Sequence, residues 1–132
     1  MQVITINGKQ YNLELKAKMV ETVELCLKSK KSILDIFMPV SVKPGKGKGD
    51  TEISELKYCS VGDMIRIFWG ELQVNNTPGH VISFDEACDL YDEFMSSAEG
   101  RKMGVFGFYF LLGKAAHFFT AEVEETTETA NV

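Results

Sequence analysis

Alternating apolar and polar residues open the chain and predict a short β-hairpin. Val3–Ile6 and Lys9–Leu15 alternate on either side of Asn7-Gly8, the dipeptide favoured in a type I′ turn because both central residues need a positive φ angle. A two-residue turn fixes the register, so that Ile4 opposes Tyr11. One face of the hairpin is then apolar, and its members are Ile4, Ile6, Tyr11, Leu13 and Leu15.

A helical period replaces this alternation after the hairpin. Apolar residues recur every three to four positions over about 17–28, 61–72 and 84–95, and a short apolar segment follows Ser32. Ser60 and Ser83 each have an acidic residue three positions later, the pattern of a capping box at a helix start. We therefore predict an α+β, mainly helical fold, in which the N-terminal β-hairpin is followed by four or five packed α-helices.

The last predicted helix, about 102–119, is apolar on almost every side, and we expect a break over 96–100 before it. Such a helix is either central to a core or shared with a partner. A domain of this size can hide only part of so much apolar surface, which predicts a partner-binding surface. The candidate partner-binding residues are Trp69, Phe106, Tyr109, Phe110, Phe118 and Phe119.

Composition divides the chain into one domain and a tail. Residues 1–119 are expected to form a single globular domain, with the hairpin over 2–15 and a mobile, glycine-rich loop over 39–52. No Ser or Thr follows a Gly-Lys pair in that loop, so it does not match a P-loop. Residues 120–132 are rich in Thr and Glu and predict a disordered acidic tail.

Charge and cysteine content narrow the class of protein. The net charge is −5, but four glutamates lie in the tail and the body is nearly neutral, so we expect no nucleic-acid partner. The last helix is too short, and carries Lys114 and His117, for a membrane span. Three scattered cysteines and no recognisable signal peptide favour reduced thiols and a cytoplasmic location.

The chain offers no recognisable catalytic set, metal site or cofactor site. His80 and His117 are its two histidines, and neither belongs to a zinc-binding pair. Cys88 could in principle pair with a histidine as a nucleophile, but it falls on the predicted buried stripe of its helix, where an inert thiol is expected. Asp89, Asp92 and Glu93 are better explained as a solvated helix face than as a carboxylate cluster.

The order of these elements resembles the tail assembly chaperones of long-tailed bacteriophages and related prophages. The residues that carry the resemblance are the hairpin Ile4-Thr5-Ile6-Asn7-Gly8-Lys9-Gln10-Tyr11-Asn12-Leu13, the mid-chain helix Val61-Gly62-Asp63-Met64-Ile65-Arg66-Ile67-Phe68-Trp69-Gly70-Glu71-Leu72 and the capped acidic helix that starts at Ser83-Phe84-Asp85-Glu86. It covers about residues 1–100 and rests on layout, without an invariant motif.

The resemblance implies a non-enzymatic chaperone in the cytoplasm of the bacterial host, absent from the mature virion. Such proteins bind the apolar, helical tape measure protein and help to recruit tail tube protein onto it. Two other classes stay open: a small α+β regulatory or ligand-binding domain with a pocket around Tyr109 and Trp69, and a virion structural subunit such as a head-tail connector. We also expect a weak homo-oligomer that uses the hairpin edge or the last helix.

Overall fold

A computed structural model of the chain describes residues 2–37 and 59–118. The loop predicted over 39–52 and the tail predicted over 120–132 lie outside the described residues. The described elements are a two-stranded antiparallel sheet followed by five α-helices, which confirms the predicted fold class. Their bounds are β1 Gln2–Ile6, β2 Lys9–Leu13, α1 Ala17–Cys26, α2 Ile33–Phe37, α3 Val61–Leu72, a 3₁₀ turn Gln73–Asn75, α4 Phe84–Ser96 and α5 Ala98–Ala115.

The hairpin has the predicted turn and register. Asn7 and Gly8 have φ angles of 53° and 79°, as a type I′ turn requires. Ile4 is paired with Tyr11, and the predicted apolar face is buried against the helices at all five of its positions. The alternation therefore determined which face of the sheet packs on the core.

Serine hydroxyls begin the helices as predicted, but the acidic residues three positions later do not complete capping boxes. The Oγ atoms of Ser60 and Ser83 accept backbone N–H bonds at 3.1 Å from Asp63 and Glu86, respectively. The Asp63 carboxylate instead accepts N–H bonds from the chain that follows α1, and Glu86 bonds His80. Each acid thus joins its helix to a neighbouring segment.

Helix α3 lies at the centre of the described core. It packs against α1, α4, α5 and β2. Its helical period predicts a buried stripe of Val61, Met64, Ile65, Phe68, Trp69 and Leu72. The prediction is wrong for Val61, which is 43% exposed, and Ile67 and Gly70 are buried in addition. A Cβ atom on Gly70 would lie 2.3 Å from Cγ2 of Val23, so α1 approaches α3 closely where this side chain is missing.

Helix α5 starts earlier than predicted and bends. The predicted break over 96–100 is wrong for its last residues, because the Ser97 hydroxyl caps α5 by accepting the Gly100 N–H at 3.1 Å. The helix ends at Ala115, not at 119. Gly104 inside it has φ 74° and ψ 175°, a conformation that only glycine adopts readily, and the helix axis changes direction there.

Candidate partner-binding face

Tyr109, a predicted partner-binding residue, lies in the core. Its side chain is fully buried, its hydroxyl donates a hydrogen bond to the Ile36 carbonyl, and its ring centroid is 5.2 Å from that of Phe37. This side chain therefore fixes α2 against α5 and is not accessible to a partner. The interpretation of Tyr109 as a surface residue was wrong because an apolar helix without a period gives no sign of which side faces inward.

Phe118 also packs inward. Its ring stacks on Phe37 with centroids 5.4 Å apart and an interplanar angle of 29°, and it is half-buried. Phe119, the next predicted member, lies outside the described residues. Phe118 thus covers the end of the core beside α2.

Trp69 is held at a helix junction. Its indole N–H donates to the Ile82 carbonyl at 3.0 Å, where the Gln73 amide also donates. The ring lines an open groove of about 390 Å³ with Cys26, Arg66 and Phe84. Tyr109 is not part of this groove, so the pocket considered around Trp69 and Tyr109 is not formed by these two residues together.

Two other predicted residues, Phe106 and Phe110, lie on the surface of α5. Their side chains are 46% and 38% exposed. Phe110 also contacts the edge of Tyr109, with ring centroids 5.5 Å apart. Both phenylalanines are therefore presented to solvent by a helix whose other side is held in the core.

These two rings belong to a continuous apolar face, which we call the α5 face and define as Met103, Phe106, Gly107 and Phe110. Phe106, Gly107 and Phe110 follow the spacing of one helix side, and Met103, which precedes the bend at Gly104, lies against Gly107. A shallow groove of about 240 Å³ lies along it, lined by Met103, Gly107, Phe110, Leu111 and Lys114. A Cβ atom on Gly107 would lie 2.5 Å from Cγ of Met103, so the Met103 side chain packs over Gly107 and forms part of the groove wall.

The charged residues of α5 are Glu99 in its first turn, followed by Arg101, Lys102 and Lys114. Residues 101–118 contain no Asp or Glu, and Arg101 and Lys102 are exposed just before the face. Helix α4 has the opposite character, with exposed Asp85, Asp89 and Asp92. Helix α5 thus carries two exposed aromatic rings and, from residue 101 on, only basic charges.

The side chains considered for chemistry have structural contacts. His80 Nε2 lies 2.8 Å from Glu86, and His117 Nε2 lies 3.2 Å from Glu14. Burial and, to a smaller extent, the charges of Asp85, Asp92 and Asp89 raise the pKa of the Cys88 thiol, which disfavours the thiolate that a nucleophile needs.

The other two thiols differ in exposure. Cys59 is buried, and burial together with Asp63 raises its pKa to about 12. The helical period of α1 predicts a buried stripe of Met19, Val20, Val23, Cys26 and Leu27, and this prediction is wrong for Cys26, which is exposed. Cys88 is only half-buried. No group of three potential metal ligands occurs within 2–37 and 59–118.

Sequence reasoning missed Glu71, the most unusual polar side chain of the described core. It is fully buried on α3, and neither carboxyl oxygen has a hydrogen-bond partner among residues 2–37 and 59–118. Burial raises its pKa well above 4.5, because a desolvated carboxylate is unfavourable. The burial of Glu71 was predictable from the helical period, because Glu71 follows Met64 by seven positions and therefore lies on the same buried side.

Asp63, also buried on α3, has partners. Its carboxylate accepts the N–H groups of Lys28 and Ser29 at 2.8 and 3.1 Å. These bonds satisfy backbone donors where the chain leaves α1, so Asp63 connects the start of α3 to the end of α1. The two buried acids of one helix are thus in opposite situations.

No family model, curated protein or solved structure matches the chain. Among the helices of the described segments, none has the length and apolar content needed to cross a membrane.

Proposed function

We propose that this protein is a tail assembly chaperone of a long-tailed phage or prophage, which binds the tape measure protein through the α5 face. The observation that carries the proposal is the exposure of Phe106 and Phe110 on a helix that is otherwise anchored in the core. The layout of hairpin, central helix and capped acidic helix, on which the resemblance rests, supports the same class. In this role the protein is non-enzymatic and uses no cofactor.

The α5 face has the chemistry that a helical partner requires. An amphipathic helix binds by laying apolar anchors, spaced one turn apart, into an apolar groove. Phe106 and Phe110 lie one helical turn apart and are both exposed, and Phe110 lines the groove together with Met103. Exposed aromatic residues are frequent hot spots of such interfaces. A tape measure protein, being long, apolar and helical, would supply many equivalent segments.

The proposed place of action is the host cytoplasm during tail assembly. Coating the tape measure protein would keep its apolar surface from aggregating until tail tube subunits replace the chaperone. The chaperone would then be absent from finished particles. A virion structural subunit would remain in them, so the two classes differ in a directly observable way.

Site-specific photocrosslinking tests the proposal. A photoreactive phenylalanine analogue at position 106 should capture the tape measure protein encoded with this chain when the two are co-expressed. The same analogue in place of Leu25, which is 81% exposed on α1, is the matched control and should capture little. Mass spectrometry of purified particles should not find the chain.

Other results would reject the proposal. Equal capture from positions 106 and 25 would show that the α5 face has no special role. Stoichiometric recovery of the chain in particles would favour a head-tail connector or another virion subunit. A small molecule that co-purifies with the protein would favour the ligand-binding class.

A further inference from the structure

The two outer edges of the hairpin are not equivalent. In a two-residue hairpin the two residues next to the turn exchange backbone hydrogen bonds. Further along each strand, residues that bond the other strand alternate with residues whose backbone N–H and C=O groups point outward. With Ile6 paired to Lys9 and Ile4 to Tyr11, the backbone groups of Val3 and Thr5 point outward from β1. Those of Gln10 and Asn12 point outward from β2.

The edge of β2 is already occupied at Asn12. The Asn75 side chain accepts the Asn12 N–H at 3.0 Å and donates to the Asn12 carbonyl at 2.8 Å. Beyond β2, the N–H groups of Glu14 and Leu15 bond the carbonyls of Glu71 and Ala115. The asparagine amide therefore takes the place that a further strand would need along β2.

The edge of β1 has no such cover within the described residues. The outward N–H and C=O groups of Val3 and Thr5 bond no described residue, and the Val3 side chain is 51% exposed. Natural edge strands are usually protected by charge, proline or a bulge. Gln2–Ile6 has none of these, since it is five residues long, uncharged and mostly β-branched.

We propose that β1 pairs with β1 of a second copy of this chain, antiparallel about a twofold axis at Ile4. In this register Val3 of one copy faces Thr5 of the other. The outward backbone N–H and C=O groups of Val3 in one copy then bond those of Thr5 in the other. The twofold axis generates the same bonds between Thr5 of the first copy and Val3 of the second. The strand is thus complementary to itself.

The side chains fit this register as well. Opposite residues of an antiparallel pair lie on the same face, so Ile4 lies opposite Ile4 of the second copy. Because Ile4 is only 3% exposed within its own copy, the new side-chain contact is made mainly on the outer face. On the outer face, Val3 and Thr5 form a β-branched cross-strand pair. The result is a four-stranded sheet, and a sheet of three or more strands is far more stable than a lone hairpin.

Proline substitution at the outward positions tests the pairing. Val3→Pro removes an outward N–H and leaves the bonds between β1 and β2 in place, since proline is tolerated on edge strands. The matched control is Gln10→Pro, which makes the same change on the β2 edge. Sedimentation of the full chain should show a dimer whose dissociation constant rises about 10-fold or more for Val3→Pro. The dissociation constant of Gln10→Pro should change less than about 3-fold.

Amide hydrogen exchange locates the contact and shows whether the variants still fold. The amides of Val3 and Thr5 should become protected as protein concentration rises, while that of Gln10 exchanges quickly at every concentration. Equal circular dichroism of the two variants would confirm that the hairpin is retained. If either variant loses its fold, the pairing is tested by the unmodified chain alone, in which the amides of Val3 and Thr5 should become protected as the protein concentration rises.

Three results would overturn the proposal. A monomer with fast Val3 and Thr5 exchange at high concentration would show that the edge stays open. Protection of these amides that is independent of concentration would show that another part of the same chain covers β1. A dimer in which they stay unprotected would place the interface elsewhere, as on the α5 face.

Discussion

Helices α3 and α5 contain opposite exceptions to the rule that apolar side chains are buried and charged side chains are exposed. Helix α3 buries a carboxylic acid, Glu71, which has no hydrogen-bond partner in the part of the chain that the structure describes. Helix α5 exposes two phenylalanines, Phe106 and Phe110. A buried polar group without partners costs stability, whereas an exposed aromatic ring contributes little to the folded domain.

A bound partner could account for the exposed rings of α5 but not for the buried acid of α3. The exposed rings of α5 gain a physical reason once a partner helix covers them, because the apolar area is then removed from water. Glu71 gains none from such a partner, since it already lies fully inside the domain. We therefore expect substitutions in α3 to act on stability and substitutions on the α5 face to act on binding.

The largest expected effect is on the buried side of α5 itself. Phe108→Ala should lower the free energy of unfolding by about 3–5 kcal/mol, because the ring packs at 5.3 Å against Phe68 and Tyr91 and at 6.0 Å against Phe94. Urea unfolding followed by circular dichroism measures it. A loss below about 1 kcal/mol would mean that α5 is not anchored in the core.

The second-largest expected effect is an increase in stability on removal of the buried acid. Glu71→Met should raise the free energy of unfolding by about 1–3 kcal/mol, because it removes a buried polar group that has no partner. Asp63→Leu is the matched control on the same helix and should lower it, since two backbone donors then lose their acceptor. If both variants are destabilised, Glu71 has a stabilising role that its surroundings do not reveal.

Ionisation of Glu71 predicts a pH dependence. Its pKa in the folded protein lies above the ordinary 4.5 because of burial. As the pH rises past 4.5, the unfolded chain releases a proton that the folded protein retains, so stability falls until the pH reaches the raised pKa. Glu71→Gln should therefore match the unmodified protein near pH 4 and exceed it increasingly at higher pH. Chemical unfolding across that range checks this, and a constant difference would show that Glu71 does not titrate as inferred.

The conformation of Gly104 carries a smaller effect. Its φ angle of 74° is unfavourable for any residue with a side chain, so Gly104→Ala should cost about 1 kcal/mol even though nothing lies near the added Cβ atom. Gly79→Ala, at an equally open position without a positive φ, should stay within about 0.5 kcal/mol. Thermal unfolding compares the two, and equal effects would indicate a straight α5.

Local patterns in the sequence predicted most of the fold. The Asn7-Gly8 turn fixed the strand register, and serines with an acidic residue three positions later marked the starts of α3 and α4. Both depend on interactions within a few residues. The early start of α5 was missed although Ser97 caps it in the same way, because Gly100 in its first turn suggested a break.

The candidate site was predictable only in part, for a physical reason. Helix α5 is apolar on nearly every side, so its sequence has no period that separates core from surface. The contacts of Tyr109 with Ile36 and Phe37 place it inside, while Phe106, three positions earlier in the same helix, remains exposed. These contacts join residues about 70 positions apart, which no local pattern encodes.

The central claim is that the α5 face serves binding and not folding. The most direct measurement compares the double variant Phe106→Ala, Phe110→Ala with Leu25→Ala in two assays, urea unfolding and calorimetric titration with a tape measure segment. The account predicts that both variants unfold within about 1 kcal/mol of the unmodified protein. Only the double variant should lose about 2 kcal/mol or more of binding free energy. Loss of folding stability with unchanged binding by the folded fraction would contradict it.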